Sequence, residues 1–274
     1  SVLILEKESI GGAIASSPKI ENYPGYQKIS GAELADNLYE QVISLGGVIE
    51  LEEVTEIKVG NEKEVITTDN IYTCKAIIIA TGSKYRLLGL PNETDLIGNG
   101  VHFCVSCDGA FYKDKIVGVI GGGNTAITNA LTLSEICKKV YIIQNLSDLT
   151  GEKLLKEKLK EKKNVEIYYE STVKELKKDD ELKGITIDYK GKNKDIKLDG
   201  IFVSIGQVPE TNFIKNIINL NEYNYVLSDS ECKTNIKGVF VSGDVRDKKV
   251  RQLTTATNDG TISAIEAVNY IDSL

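Results

Sequence analysis

The sequence predicts an α/β fold with two doubly wound lobes, because strands and helices alternate in two separate parts of the chain. Between Lys115 and Ile143 a strand, a glycine-rich turn, a helix and a second strand follow one another, which is a complete βαβ unit. A similar alternation begins at Val2 and resumes near Gly238. Since the two systems are nested along the chain, we expect the second lobe to interrupt the first.

The first lobe opens with a strand, a loop and a helix. The apolar run Val2–Leu5 predicts a strand that ends in Glu6. Apolar residues at helical spacing predict a helix over Gly31–Leu45, and Gly46-Gly47 ends it. The other elements predicted for this lobe are the strands Val54–Val59, Val65–Thr68, Ile71–Thr73 and Ala76–Ala80, a strand with a Gly-Asp turn at Gly238–Asp244, and the helix Thr254–Ile271. Of these, Ala76–Ala80 has the continuous apolar character of parallel strands covered on both faces.

The second lobe holds the βαβ unit. Its predicted elements are the strand Ile116–Ile120, the turn Gly121–Gly123, the helix Thr125–Cys137, the strand Val140–Ile143, the helix Glu152–Lys163 and a last strand within Gly200–Ile205.

Composition limits the classes of function. The chain has 274 residues, 41% apolar and 27% charged, which suits two domains of about 100–150 residues. Its net charge of -7 argues against a nucleic-acid partner, because phosphate binding needs clustered Lys and Arg. No apolar run approaches the ~18–20 residues of a membrane-spanning helix, so we expect no membrane partner. Five cysteines are too few for a secreted disulfide scaffold and favour a reducing, cytoplasmic compartment.

The opening residues indicate a longer chain. The sequence has no methionine, and Ser1–Leu5 is typical of the middle of a buried strand. We therefore expect a strand, a GxGxxG turn and a helix of roughly 30 residues upstream of Ser1. A targeting segment could also have stood there.

A glycine-rich turn in the second lobe fits a dinucleotide-binding fingerprint. Gly121–Ala126 matches GxGxxG/A between a predicted strand and helix, where backbone N–H groups could approach a pyrophosphate. The next strand should end in an acid or in basic residues that recognise the ribose, but it ends in Gln144-Asn145. The turn is therefore inherited scaffold or a tight βα turn that binds nothing. Glu6, by contrast, ends a strand where a ribose-binding acid belongs, unless it is only a solvated carboxylate.

The pair Cys104 and Cys107, followed by Asp108, predicts redox chemistry. A CxxC pair can close a disulfide that cycles by thiol exchange, and a neighbouring carboxylate can move the proton. For Asp108 the alternative is a helix N-cap. The alternative for the pair is half of a zinc site, but a second pair is missing from the sequence, so we expect no metal. The remaining cysteines, Cys74, Cys137 and Cys232, stand alone.

The only histidine, His102, lies two residues before Cys104. Two interpretations of it are open. It could tune a thiolate, or it could be an ordinary surface side chain.

Several motifs together resemble one family. In order they are Glu21–Gly25 (ENYPG), Ala80–Gly82 (ATG), Cys104–Gly109 (CVSCDG), Gly121–Ala126 (GGGNTA), Phe202–Pro209 (FVSIGQVP), Gly243–Val245 (GDV) and Arg251–Leu253 (RQL). With these motifs the chain resembles low-molecular-weight thioredoxin reductases along essentially its whole length. The resemblance implies two Rossmann-like lobes: an FAD-binding lobe of residues 1–89 and 207–274, and a pyridine-nucleotide-type lobe of residues 90–206 that carries the disulfide. It also implies a homodimer.

The resemblance implies roles for individual residues. Cys107 would face the flavin, Cys104 would attack the disulfide of thioredoxin or a thioredoxin-like protein, and Asp108 would handle the proton. The residues implied at the FAD are Glu6 at the adenosine ribose, Gly11 and Gly12 along the cofactor, Asn22 by the flavin, Thr81 and Gly82 packed against the cofactor, Gly243 and Asp244 at the ribityl or pyrophosphate region, and Arg251 and Gln252 near the isoalloxazine.

The chain departs from the NADPH-dependent pattern of the family at one place. Those members resemble HRRxxFRA after the second strand, whereas this chain has Gln144–Gly151 without any arginine. Each lost charge-assisted phosphate contact is worth about 1.5–3 kcal/mol. Clostridial flavin thioredoxin reductases, which take electrons from ferredoxin, look like this, so the resemblance implies ferredoxin as the donor.

An acidic ferredoxin would need a basic docking site on this protein. The candidate lysines are Lys138, Lys139, Lys153, Lys156, Lys158, Lys160, Lys162 and Lys163. The alternative is a solvated helix face, because Glu152, Glu157 and Glu161 are interleaved with them.

Other functions stay open at this point. One is a reductase that uses NADPH or NADH through a divergent site, and another is the flavin subunit of a peroxide-reducing system with an extra thioredoxin-like domain. Outside enzymes, the chain could be a non-catalytic FAD-binding module or a zinc-stabilised interaction domain.

Overall fold

A computed structural model describes residues 1–15, 17, 20–60 and 62–274. The strands are β1 (Leu3–Glu6), β2 (Val48–Leu51), β3 (Val54–Lys58), β4 (Lys63–Thr67), β5 (Ile71–Cys74), β6 (Ile77–Ile79), β7 (Ser83–Tyr85), β8 (Val101–His102), β9 (Ile116–Ile120), β10 (Lys139–Ile143), β11 (Val165–Tyr168), β12 (Ser171–Lys178), β13 (Leu182–Tyr189), β14 (Lys192–Lys197), β15 (Gly200–Val203), β16 (Gln207–Pro209) and β17 (Val239–Val241). The α-helices are α1 (Gly12–Ala15), α2 (Gly31–Ser44), α3 (Val105–Asp108), α4 (Asn124–Ser134), α5 (Lys153–Lys160) and α6 (Leu253–Asp272). Short 3₁₀ turns cover Thr94–Leu96, Gly109–Tyr112, Asn212–Ile214 and Gly243–Val245.

The chain forms two compact units, a first unit of residues 1–84 with 207–274 and a second unit of residues 85–206. The predicted α/β fold class is confirmed, and the predicted βαβ unit appears as β9, α4 and β10. Along the described ranges, no helix is long and apolar enough to cross a membrane.

The second unit is built on a five-stranded parallel sheet in the order β11-β10-β9-β15-β8. Alternate side chains of β9 point to opposite faces, so Val117 and Val119 pack with α4 on one face, as in the cluster that contains Ala126 and Ile127. On the other face Ile120 packs with residues of the antiparallel sheet β12-β13-β14. This layering buries β9 and β15 on both faces, as their apolar sequences require.

The first unit contains two parallel strand pairs, β1 with β2 and β6 with β17, and an antiparallel sheet β3-β4-β5. Helix α2 begins at Ser30, whose hydroxyl accepts a hydrogen bond from the Glu33 N–H at 3.1 Å and caps the first turn. The buried face of α2 carries Leu34 and Ala35. The core of this unit lies around β3, β6 and β17.

Two expectations about burial were wrong. Val2, Leu3 and Ile4 were expected inside a buried strand but are 65%, 37% and 38% exposed. Ile78 in β6, expected to be covered on both faces, is 41% exposed. The reason is that, within the described ranges, β1 pairs only with β2 and β6 only with β17, so both edges of each pair lack a neighbouring strand.

Candidate functional site

Cys104 and Cys107 form a disulfide in the second unit, with Cα atoms 5.3 Å apart. Strand β8 ends at His102, and Cys104 takes the extended backbone of the residue that precedes α3. The N–H of Asp108 donates to the Cys104 carbonyl at 3.0 Å, so the short helix closes the loop between the two cysteines. Both cysteines are half-buried. A partly accessible disulfide next to a carboxylate has the composition of a thiol-exchange centre.

His102 links the disulfide segment to the core of the second unit. Its Nδ1 lies 3.2 Å from Asp108 Oδ2, and its Nε2 lies 2.7 Å from the Tyr112 hydroxyl. His102 is 5% exposed, so the interpretation of a surface side chain was wrong. Burial, and next the negative charge of Asp108, raise the pKa of Tyr112, so this phenol keeps its proton.

Asp108 is not a helix cap. It precedes the 3₁₀ turn Gly109–Tyr112, but its side chain makes no capping hydrogen bond there, so the N-cap interpretation was wrong. Asp108 is 8% exposed, and its Oδ1 is a buried atom with no hydrogen-bond partner among the described residues. A buried carboxyl with one free oxygen beside a disulfide is available for proton transfer.

The residues expected at the flavin all lie in the first unit, and three groups of them follow strands. Glu6 is the last residue of β1, and its Oε1 accepts the Glu8 N–H at 3.0 Å. Thr81 follows β6 and donates its hydroxyl to the Glu210 carbonyl at 2.8 Å. Because β6 and β17 are parallel, Thr81-Gly82 and Gly243-Asp244 leave the same edge of that strand pair. Ligands of open α/β sheets bind at such carboxyl ends.

Asp244 is held in a charged network that sequence reasoning missed. Its Oδ1 is buried without a hydrogen-bond partner in the described part of the chain, although Lys248 Nζ lies 3.8 Å away. Burial is the main cause that raises the pKa of Asp244. The preceding Gly243 donates its N–H to Asp259 Oδ2 at 3.1 Å, and Asp259 also binds Arg246 Nη1 at 2.7 Å. Asp259 lies on the buried face of α6 with Ser263 and Ala267, and no sequence motif marked it.

The structure brings Asn22 and Gln252 together across 230 residues of chain, with Asn22 Nδ2 donating to Gln252 Oε1 at 3.2 Å. Gln252 also forms a capping box with Thr255 at the start of α6. Arg251 lies over the Tyr225 ring at 4.0 Å and donates to the Asp244 carbonyl at 3.3 Å, so it braces the loop that carries Asp244.

Gly11 and Gly12 form the turn into α1. Gly11 has φ +103°, and a Cβ there would lie 2.7 Å from the Ala35 Cβ, so only glycine permits α1 to approach α2 this closely.

The glycine-rich turn of the second unit is covered by its own chain. The buried Gln144 lies against Gly122, where a Cβ would clash with the Gln144 carboxamide. The Thr150 N–H donates to the Gly122 carbonyl at 2.8 Å. Asn124, the first residue of α4, accepts the Glu152 N–H at 2.7 Å and donates to Glu152 Oε1 at 3.2 Å. A carboxylate therefore lies at the helix N-terminus, the place where a dinucleotide fold binds phosphate.

The lysines proposed for docking fall into two groups. Lys139, Lys153, Lys156 and Lys162 form ion pairs with Glu166, Glu157, Asp148 and Glu135. Acidic neighbours within the protein therefore engage these four lysines. Lys138, Lys158, Lys160 and Lys163 are exposed and make no ion pair with any described residue.

The fold and the disulfide define a class of two-unit α/β disulfide oxidoreductases, and comparisons with known proteins agree with this class. Residues 1–260 match the model of the pyridine nucleotide-disulphide oxidoreductase family. A 34.2 kDa protein in the rubredoxin operon of Clostridium pasteurianum is 40% identical over 99% of this chain and 89% of that protein. The thioredoxin reductase of Bacillus subtilis is 33% identical over 100% of this chain and 88% of that protein.

Solved structures give the same result. Thioredoxin reductase from Streptococcus pyogenes matches with a TM-score of 0.94 and 36% identity over 100% of this chain and 91% of that one. A ferredoxin-flavin thioredoxin reductase from Clostridium acetobutylicum matches with a TM-score of 0.52 and 25% identity over 100% of this chain and 90% of that one.

The chain belongs to the pyridine nucleotide-disulphide oxidoreductase family. The resemblance to thioredoxin reductases that the sequence motifs predict is thereby confirmed, and the FAD expected from them is the cofactor of this family.

Proposed function

We propose that this protein is an FAD-dependent thioredoxin reductase whose electrons reach thioredoxin through Cys104 and Cys107 and whose electron donor is ferredoxin. The observation that carries the reductase is the Cys104–Cys107 disulfide next to the buried Asp108 carboxyl. The observation that supports ferredoxin as the donor is that Gln144 and Glu152 of the same chain lie against the glycine-rich turn of the second unit.

The first unit fits FAD on one structural criterion. The buried Asp244 Oδ1 has no hydrogen-bond partner within the described residues, and a sugar-like chain of hydroxyl groups supplies the donors it needs. Glu6, at the end of another parallel strand, is the acid suited to a ribose diol. Asn22, Thr81, Gly82, Arg251 and Gln252 would complete the cofactor contacts. When bound, FAD would supply the two electrons that open the disulfide.

The chemistry at the disulfide needs only residues of the second unit. In the reduced protein, Cys104 would attack the thioredoxin disulfide and Cys107 would then release the product by attacking Cys104. Asp108 would take the proton from Cys107 and pass it to the departing thiolate. Asp108 is joined to His102, and His102 to the Tyr112 hydroxyl, so the carboxyl that moves the proton is held by a row of buried polar groups.

The glycine-rich turn supports a donor other than a nicotinamide nucleotide. Gln144 lies against the turn, and Asn124 holds the Glu152 carboxylate near the N-terminus of α4, so this negative charge would repel a pyrophosphate there. Lys156 on α5 is engaged by Asp148 Oδ2 at 2.7 Å and by the Leu149 carbonyl at 3.0 Å. No arginine stands in the segment 144–151 to bind a 2′-phosphate.

An anaerobic experiment tests the donor. The full-length protein is mixed separately with NADPH, NADH, reduced ferredoxin and reduced rubredoxin, and the absorbance of oxidised flavin is followed. Rubredoxin is included because the C. pasteurianum relative is named for its place in a rubredoxin operon. We expect reduced ferredoxin to bleach the flavin and the nucleotides to leave it oxidised. Bleaching within a second by sub-millimolar NADPH or NADH, with no effect of ferredoxin, would establish the alternative of a nicotinamide-dependent reductase.

A homodimer and a cytoplasmic location, which the family resemblance implies, belong to the same proposal. Sedimentation equilibrium and cell fractionation test them.

A further inference from the structure

His102 occupies a buried position beside the disulfide segment. It ends β8, two residues before the disulfide begins, and its ring lies 5.4 Å from the Phe202 ring in a stacked arrangement. Both ring nitrogens face polar groups, Tyr112 on one side and Asp108 on the other. A buried histidine with both nitrogens engaged is fixed in orientation.

The direction of these hydrogen bonds follows from the groups on either side of the His102 ring. Burial and the Asp108 charge raise the pKa of Tyr112, so its hydroxyl carries a proton and can donate to His102 Nε2 at 2.7 Å. A carboxylate oxygen such as Asp108 Oδ2 can only accept, so Nδ1 carries a ring proton and Nε2 can accept from the Tyr112 hydroxyl. Nδ1–H therefore faces Asp108 Oδ2 at 3.2 Å.

Asp108 is held by only one of its two oxygens. Oδ1 is buried and has no hydrogen-bond partner among the described residues. An unsatisfied buried acceptor is unfavourable unless another state of the protein supplies a donor. A closed disulfide has no S–H group, whereas the reduced Cys104 and Cys107 pair has two.

We infer that His102 is a positioning residue that holds Asp108 through Oδ2 and keeps Oδ1 for the thiols of the reduced Cys104–Cys107 pair. The inference rests on the thiol–disulfide exchange of the proposed function. It is independent of the electron donor.

Throughout the thiol–disulfide exchange, His102 would only donate its Nδ1 hydrogen bond to Asp108. The Cys104 thiolate attacks one sulfur of the partner disulfide, so that one S–S bond forms and one breaks, and a partner thiolate departs. Cys107 loses its proton to Asp108 Oδ1 and attacks Cys104 Sγ, which re-forms the enzyme disulfide and releases the second partner thiolate. Two electrons pass from the enzyme pair to the partner disulfide. The Cys107 proton passes through Asp108 Oδ1 to one partner thiolate, and the other partner thiolate takes from solvent the proton that Cys104 released there when it became a thiolate. His102 keeps its Nδ1 proton throughout and restores the orientation of the carboxyl for each transfer.

The test isolates this half-reaction. The full-length protein is reduced anaerobically with dithionite, freed of reductant and mixed with oxidised thioredoxin, and thioredoxin dithiol is counted by alkylation at fixed times. His102→Val removes the donor, His102→Asn keeps an N–H near the place of Nδ1, and Tyr112→Phe removes only the hydroxyl. Phe202→Leu is the matched control, because the Phe202 ring packs on both His102 and Tyr112 but has no group that could hydrogen-bond to either.

We expect His102→Val to lower the maximal exchange rate about tenfold, a fraction of what general acid–base catalysis supplies. The thioredoxin concentration at half-maximal rate should stay unchanged, because His102 would act through Asp108 and not on the partner. His102→Asn should recover most of the rate, Tyr112→Phe should slow it about threefold, and Phe202→Leu should lower the melting temperature but not the rate. In the background of Asp108→Asn, His102→Val should have no further effect.

The inference is overturned if folded His102→Val exchanges as fast as wild type, or if its effect adds fully to that of Asp108→Asn. If His102→Val does not fold, the other variants decide. The inference is then overturned if wild type, His102→Asn and Tyr112→Phe exchange at equal rates and Asp108→Asn leaves those rates unchanged. Failure of the reduced wild-type protein to reduce thioredoxin overturns the proposed function itself. In that case the inference falls with it.

Discussion

Asp259 Oδ1 accepts a hydrogen bond from Arg246 Nη1 at 2.7 Å, while Asp259 Oδ2 lies 2.9 Å from Lys248 Nζ. Oδ2 also accepts the Gly243 N–H at 3.1 Å. Because Asp259 is 4% exposed, it is a buried anion between two cations. It fixes the turn after β17 that presents Asp244.

Asp259→Asn should destabilise the first unit. Removing one partner of a buried ion pair leaves the other charge unpaired, at a cost of about 3–5 kcal/mol, so we expect a loss near the lower limit because Lys248 can reach Asp244. Urea denaturation measures it. Asp272→Asn at the exposed end of α6 is the control and should be neutral. Equal stability of both variants would contradict the role of Asp259.

Flavin affinity should fall in mildly acidic solution because of Asp244. Burial raises the pKa of this carboxyl, so it takes up a proton at a higher pH than a free aspartate does. Cofactor hydroxyls that donate to the carboxylate favour the ionised form, so binding weakens as the pH falls through the raised pKa. Flavin retained on ultrafiltration between about pH 5 and pH 8 measures this. Asp244→Asn should bind weakly with a flatter pH profile, and an unchanged profile would remove Asp244 from the cofactor site.

Cys104→Ser and Cys107→Ser should each abolish thioredoxin reduction and leave FAD bound. The exchange needs both sulfurs, whereas the expected cofactor residues lie in the other unit. Turnover and extracted flavin are the measurements. Cys74→Ser, a half-buried free cysteine in the first unit, is the control and should keep its activity. Residual turnover above a few per cent in either disulfide variant would exclude a two-cysteine mechanism.

Asp108→Asn should slow thioredoxin reduction by about 10²- to 10⁴-fold with little change in stability. The amide cannot accept the proton of Cys107, but it can still accept the hydrogen bond from His102 Nδ1. Steady-state turnover and urea denaturation distinguish the two effects. Unchanged turnover would mean that solvent supplies the proton.

Charge reversal of unpaired lysines should weaken reduction by ferredoxin. Lys158, Lys160 and Lys163 are exposed without ion pairs to any described residue, so they are free to steer an acidic protein. We expect the triple Lys→Glu variant to lose at least about tenfold in rate at low salt and less at high salt. Lys190, Lys192 and Lys197, changed together to Glu, give the same change of net charge on β14 and its turn and should have little effect. Equal effects of both triple variants would move the docking site elsewhere.

Local patterns in the sequence predict the elements and the cysteine pair well. The βαβ unit around Gly121 is encoded within one short stretch of apolar periodicity and glycine, and Cys104 and Cys107 lie one helical turn apart. The hydrogen-bond partners of the site residues could not be predicted in this way, because no local pattern links them. Tyr112 is ten residues from His102, and Asn22 is 230 from Gln252, so no spacing rule reveals either pair.

Burial was the least predictable property. Val2–Leu5 and Ala76–Ala80 have the composition of covered strands, yet several of their side chains are exposed, since composition reports what a strand favours and not which neighbours it has. Asp108 shows the reverse case. A carboxylate after a CxxC could have been solvated, and only the fold shows it to be 8% exposed with His102 beside it.

The hydrogen bonds that Thr150 and Glu152 make across Gly122 and Asn124 have a consequence for how the second unit could change in evolution. A nucleotide-binding turn normally leaves its polar groups for a ligand, so substitutions near it are constrained by that ligand. Here the chain itself engages the Gly122 carbonyl and the Asn124 side chain, so part of the constraint is internal. The segment from 144 to 152 and the turn are therefore expected to vary together, so restoring arginines alone would not recreate a nucleotide site without also releasing Glu152 from the helix end.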